Sequence, residues 1–232
     1  MMSVPDKFTV IDELVVSQPA FHHDGGQEQV WSARRETLMC LAEITQMNHR
    51  TVETGTGAST VIFAAAGAIH TAISPMPREH RMVERYCVEH GISTDRLELI
   101  EGYSEDVLPS YYPETPFDVA FIDGKHSFPY PILDWHYIAN SLKVGGTLVL
   151  DDIRAPAVEV LCRMMLADAG WQLEAAPDGE AAAFTKTADP APGDPWQDQK
   201  LASVSEFDRH FRVASHSRLS GARDALQRLR GR

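Results

Sequence analysis

Residues 52–60 read Val52-Glu53-Thr54-Gly55-Thr56-Gly57-Ala58-Ser59-Thr60, a short strand candidate that runs through a Gly-x-Gly turn into an apolar run. Such a junction predicts a strand, a tight turn and a helix. Glycine allows the turn and lets backbone approach a ligand closely. The free N–H groups of the helix that follows face an anion. Which ligand suits the turn depends on its surroundings. A phosphate-cradling P-loop requires Gly-Lys-Ser/Thr after four variable residues, and no lysine stands nearby. A dinucleotide site wants a third small residue where Thr60 stands, and an acid about twenty positions on. That later stretch reads Ile73-Ser74-Pro75, without a carboxylate. A plain turn with no ligand stays open.

Outward from this turn, strands and helices alternate. The pattern predicts strands over 51–53, 70–74, 97–100, 117–122 and 147–150, and helices over 59–67, 78–90, 130–142 and 157–169. Gly91 and Gly170 stand where helix-ending glycines belong, and Gly145-Gly146 breaks the third helix. Residues 171–176 and 180–186 flank Pro177-Asp178-Gly179, a hairpin signal. Upstream, Val30, Trp31, Leu38, Leu41, Ile44 and Met47 recur at roughly helical spacing over 28–47. Before them, His22-His23-Asp24-Gly25-Gly26 reads as a loop. The expectation is an α/β fold: a doubly wound, mainly parallel, seven-stranded sheet with an antiparallel C-terminal hairpin and helices on both faces. Residues 1–27 are read as an N-terminal segment or lid, 28–187 as the domain, and 188–232 as linker and tail. The stretch 189–195 is a linker by its Pro, Gly and Asp content.

The chain has 232 residues, 44% of them hydrophobic, which suits one large domain. No run of about 18 apolar residues is long enough to span a membrane, and no signal-peptide pattern opens the chain. Cys40, Cys87 and Cys162 are far apart, without metal-type spacing, and the odd count fits a reducing compartment; a cytoplasmic location is expected. A net charge of −12 argues against nucleic-acid binding. Residues 196–232 carry 8 basic and 4 acidic side chains. This basic tail on an acidic body is a solvated tail, or docks on its own body or on a second subunit as in a homodimer.

Chemistry-bearing residues gather at the carboxyl ends of the expected strands, where such sheets bind ligands. Asp123 ends the fourth strand and Asp151-Asp152 the fifth. Neighbouring strands lie about 4.8 Å apart, so these carboxylates can converge on a hard cation such as Mg²⁺. A helix cap with solvated neighbours is the alternative. His126 and Lys125 follow Asp123 and are candidate bases, histidine because it titrates near neutral pH.

Three further segments join the glycine turn: Gly102-Tyr103-Ser104-Glu105-Asp106-Val107-Leu108-Pro109, Phe117-Asp118-x-x-Phe121-Ile122-Asp123-Gly124-x-His126, and Leu142-Lys143-x-Gly145-Gly146-x-x-x-x-Asp151-Asp152. In this order they resemble class I S-adenosylmethionine-dependent methyltransferases, in the catechol O-methyltransferase-like and macrocin O-methyltransferase-like branch. The resemblance covers about residues 30–187 and implies a Rossmann-like fold. It implies S-adenosylmethionine bound by Glu53, Gly55, Thr56, Gly57, Ser59, Ser74, Ser104, Glu105 and Asp123. It also implies Mg²⁺ on Asp123, Asp151 and Asp152, with His126 or Lys125 as base. Ser74 stands where most members carry the acid that grips the ribose, and a serine lacks a carboxylate's charge-assisted bond. The implied reaction methylates a hydroxyl of a small-molecule acceptor. Two alternatives stay open: a nucleoside-binding protein without methyl transfer, and other chemistry with the same cofactor. His22 and His23 are read as lid or loop, and Trp31, Trp135, Tyr111, Tyr112 and Tyr130 as walls for an aromatic acceptor or as core. Arg154 is read as a partner for an anionic substrate or for Asp152.

Overall fold

The computed structural model describes residues 5–24, 26–30, 32–189 and 200–211. Trp31, nearly all of the linker and the tail from 212 onward lie outside the described residues, as does the side chain of His23. The first described element is helix α1 (Lys7–Ser17), capped by the Asp6 carboxylate, which accepts from the Thr9 N–H. Its stripe of Val10, Ile11 and Leu14 is buried. A small hairpin follows, β1 (His22–Asp24) and β2 (Gln27–Gln29), turning through Gly26 at φ +86°. Helix α2 (Arg35–Ile44) comes next. The helix expected over 28–47 is therefore shorter, because residues 27–29 pair as a strand. Residues 22–24, expected in a loop, pair with 27–29 as a hairpin.

The main sheet is built from β3 (Arg50–Thr54), β4 (Ile69–Ser74), β5 (Leu97–Glu101), β6 (Phe117–Ile122), β7 (Leu142–Leu150), β8 (Trp171–Ala175) and β9 (Ala182–Lys186). Between them lie α3 (Ala58–Ala65), α4 (Pro77–Glu89), the short α5 (Ser104–Val107), α6 (Tyr130–Ser141) and α7 (Pro156–Ala167). Helix α8 (Val204–His210) comes last among the described elements. Strand order is β5-β4-β3-β6-β7-β9-β8, with β5 through β7 parallel and the closing hairpin antiparallel. This is the expected seven-stranded, doubly wound sheet. β7 starts at Leu142, earlier than expected, because a register shift between Phe117 and Val119 accommodates Gly145-Gly146 inside the strand.

Alternation along the central strands sends side chains to two cores. Val119, Phe121 and Val149 pack with Leu41 and Phe63 of α2 and α3. Ala120, Ile122, Leu148 and Leu150 pack with Ile138, Leu161 and Met165 of α6 and α7. The α1 stripe joins Leu38, Val61, Ile62 and Val83 in a third cluster, so α1 is part of the packed body. On the opposite face Phe207 and Phe211 of the α8 region are buried in the α6–α7 cluster. The ammonium of buried Lys186 donates to the carbonyls of Ala139 and Leu142 at 2.8 Å, satisfying the C-terminal end of α6. Among the described residues, no helix is long and apolar enough to cross a membrane.

Candidate active site

From β3 the chain winds outward to β4 and β5, then returns to place β6 and β7 on the other side. The reversal lies between β3 and β6. At the carboxyl ends of β3, β4, β6 and β7, a cavity of about 690 Å³ opens there. That size falls within the range of small-molecule and cofactor sites.

The glycine turn floors one side. Gly55 has φ +103°, and a Cβ there would stand 2.6 Å from the Asp123 carbonyl oxygen. Only glycine fits where β3 and β6 ends converge. Thr56, Gly57 and Ser59 line the cavity beside it. Glu53, expected in the cleft, is turned inward. It is buried, accepts from the Thr60 hydroxyl, and lies 3.2 Å from His70 Nε2. Thr60 Oγ1 in turn accepts the Gly57 N–H at 2.9 Å. Glu53 therefore shapes the turn through Thr60 and does not line the cavity.

On the next wall, Ser74 ends β4 and donates its hydroxyl to Glu79 Oε2 at 2.9 Å. Glu79 belongs to the first turn of α4, lines the cavity, and was missed in the sequence. His22, from the N-terminal hairpin, sets Nδ1 3.0 Å from Glu79 Oε1. A third wall holds Ser104 and Glu105. Glu105 is ion-paired with Lys125, whose ammonium also lies 3.9 Å from the Tyr103 ring centre and 4.2 Å from that of Tyr130. Burial works to lower the Lys125 pKa, but the hydrogen bond and the charge of Glu105 together outweigh it and leave the ammonium above its usual range. Lys125 is committed to Glu105 and is poorly placed as a base.

Beside the turn, at the ends of β6 and β7, Asp123, Asp151 and Asp152 also line the cavity. His126 sits between two of them, with Nε2 3.5 Å from Asp123 Oδ1 and Nδ1 3.3 Å from Asp152 Oδ2. Burial raises the Asp123 and Asp151 pKa values; the neighbouring carboxylates raise Asp151 further, while His126 opposes the shift at Asp123. Burial tends to lower the His126 pKa, but Asp123, Asp152 and Asp134 prevail and raise it. Among the described residues no three His, Cys, Asp or Glu side chains are gathered as a metal-holding group. The donor chemistry nonetheless suits a hard cation, which would relieve the mutual repulsion of these carboxylates.

Beneath the 123–126 loop, fully buried Asp134 of α6 was also missed. Its Oδ2 is 3.5 Å from where a Cβ at Gly124 would be, and neither oxygen makes a well-formed hydrogen bond. Burial pushes its pKa up to about 6, with the Ser104 and Thr54 hydroxyls pulling the other way. Of the aromatic residues expected as walls, Tyr130 lies against the Lys125 ammonium beside the cavity, whereas Tyr111, Tyr112 and Trp135 are turned to other surroundings. The Tyr111 hydroxyl is bonded to Thr71 and Glu98, Tyr112 is exposed, and Trp135 packs towards Trp171. Arg154 reaches Asp208 and the Phe211 carbonyl, not Asp152.

Residues 52–153 match the profile of a family described as a methyltransferase domain. No curated protein sequence matches the chain. Among solved structures, a cofactor-bound Rv0187 from MTB is 19% identical, with a TM-score of 0.59 over 82% of this chain and 94% of that one. The O-methyltransferase TomG from Streptomyces achromogenes, in complex with SAM, is 18% identical with a TM-score of 0.57, over 76% of this chain and 91% of that one. An O-methyltransferase from Bacillus cereus in complex with SAH is 16% identical with a TM-score of 0.57, over 80% and 94%. At these identities the likeness is one of fold. The Rossmann-like fold is shared with these structures, and residues 52–153 are similar to the methyltransferase-domain family.

Proposed function

We propose that the protein transfers a methyl group from S-adenosylmethionine to a hydroxyl of a small-molecule acceptor. The observation that carries this reading is one cavity lined both by the Gly55–Gly57 turn and by Asp123, His126, Asp151 and Asp152. The turn and the N-terminal end of α3 accommodate the methionine end of the cofactor, and Ser104 and Glu105 stand where its adenine belongs. The methyl group is then presented to the acidic wall, where His126 receives the acceptor's proton. Attack on the methyl is an in-line displacement in which the acceptor oxygen bonds the carbon as the C–S bond breaks and S-adenosylhomocysteine leaves, so holding oxygen, carbon and sulfur in line dominates the rate. Asp123, Asp151 and Asp152 would hold Mg²⁺ or a similar ion. Such an ion, when bound, supplies Lewis-acid lowering of the acceptor hydroxyl's pKa. The structural neighbours described as O-methyltransferases support this choice of chemistry.

Calorimetric titration of S-adenosylmethionine, with and without Mg²⁺, tests the reading. Micromolar binding, followed by methyl transfer in an acceptor screen that is abolished in Asp123→Ala and His126→Ala, is the expected result. Binding without transfer to any acceptor favours a nucleoside-binding role. Unchanged transfer in Asp123→Ala removes the acidic wall from the mechanism.

A further inference from the structure

The strand that should end in a ribose-gripping acid ends instead in Ser74, and the missing carboxylate is present a short way along the chain. Glu79 is buried, lines the same cavity, and accepts from the Ser74 hydroxyl at 2.9 Å through Oε2. Its other oxygen meets His22 Nδ1 at 3.0 Å. Ser74 Oγ also receives the Met76 N–H at 3.3 Å, which fixes the β4–α4 corner. A carboxylate offers about four lone-pair sites. Ser74 and His22 use two, so acceptor capacity remains on a group already fixed from both sides. His22 itself stands over the glycine turn, with Nε2 3.1 Å from the position of a Cβ at Gly57. One imidazole thus stands over the turn and meets the acid, and it arrives from the hairpin formed by β1 and β2.

We infer that Glu79 is the acceptor for the ribose hydroxyls of the nucleoside cofactor, and that His22 is its positioning residue. The displaced acid makes cofactor affinity depend on the N-terminal hairpin, which a strand-end acid would not. The inference rests on the methyl-donor reading above. It concerns binding only, so it is tested by affinity.

S-adenosylhomocysteine and its 2′,3′-dideoxy analogue are titrated into the full-length wild type and four variants, each checked for folding by circular dichroism. The wild type is expected to prefer the diol. Glu79→Gln should lose about 10- to 100-fold in affinity for S-adenosylhomocysteine, the worth of a hydrogen bond to a charged group. It should lose little for the dideoxy analogue. Ser74→Asp combined with Glu79→Gln moves the acid to the strand end and should recover most of the loss, which a merely structural role for Glu79 would not allow. His22→Asn keeps a donor and should stay near wild type, whereas His22→Phe should weaken S-adenosylhomocysteine several-fold. Equal losses on both ligands in Glu79→Gln, or no loss on either, overturn the ribose assignment while leaving the cofactor reading intact. An unchanged His22→Phe overturns the tie to the hairpin. A wild type that binds neither ligand overturns the cofactor reading and this inference with it.

Discussion

Asp134 shows how a single side chain couples the fold to pH. Its carboxyl is fully buried and its pKa is pushed up to about 6, against 3.8 ordinarily. The folded state therefore holds the proton more tightly than the unfolded one. Its favourable contribution is complete below the ordinary value and is lost as pH rises through about 6. Two pKa units correspond to about 3 kcal/mol. Asp134→Asn, which removes the ionisation, should gain about 2–3 kcal/mol relative to wild type between pH 4 and pH 8. Urea unfolding at both pH values measures this, and parallel stabilities of the two proteins would refute it. Neither Asp134 nor Glu79 was legible in the sequence. Asp134 lies in a stretch read only as helix, and its position under the 123–126 loop depends on how α6 packs. Glu79 looks like one more surface acid in a strongly polar helix, and only the packing of α4 against β4 turns it to the cavity. Asp123, Asp151 and Asp152 were legible because a strand end is a place that alternation alone can locate.

At the scale of elements, the β3–turn–α3 unit is where local sequence and global geometry agree most closely. Gly55 sits at φ +103°, with the backbone carbonyl of Asp123 where a Cβ would go. That obstacle is a main-chain atom of the next strand and does not swing away. Gly55→Ala should cost more than about 1 kcal/mol in stability and at least tenfold in S-adenosylmethionine affinity, since the strand end bearing Asp123 must shift. Thermal melting and calorimetry check the two parts, and wild-type values in both would show that the junction yields. The N-terminal elements were harder to read for a physical reason. Val30 and Trp31 mimic helical spacing with Leu38, yet residues 27–29 find a strand partner in 22–24. The α1 stripe is short, and its burial comes from α2 and α3, which the local pattern does not reveal.

For the whole molecule, the segment after the linker is part of the body at least as far as residue 211. Phe207 and Phe211 are buried against the α6–α7 layer, and Arg154 bonds the Phe211 carbonyl and lies over the Phe207 ring. Of the readings of the tail, docking on its own body holds for the described residues 200–211. The basic residues beyond lie outside the described residues. A chain ending at 188 uncovers this apolar face and should lose about 3–6 kcal/mol from two phenylalanines alone. A lower melting temperature and stronger binding of an apolar dye should accompany the loss, and an unchanged melting curve would show that α8 adds nothing. The sheet order was legible from alternation and glycine punctuation, whereas α8 was not, because a seven-residue amphipathic turn in a basic tail has no pattern of its own.

The cavity draws its walls from the ends of β4, β3, β6 and β7 and from His22, segments far apart in the chain that meet only when those four strands pair side by side. Whatever fills it acts as a reversible cross-link between distant stretches and favours the folded population as a whole, by RT ln(1 + [L]/Kd). Occupancy and global folding are thus thermodynamically linked. At a hundred times the dissociation constant, that linkage amounts to about 2.7 kcal/mol, comparable in size to the charge effect of Asp134.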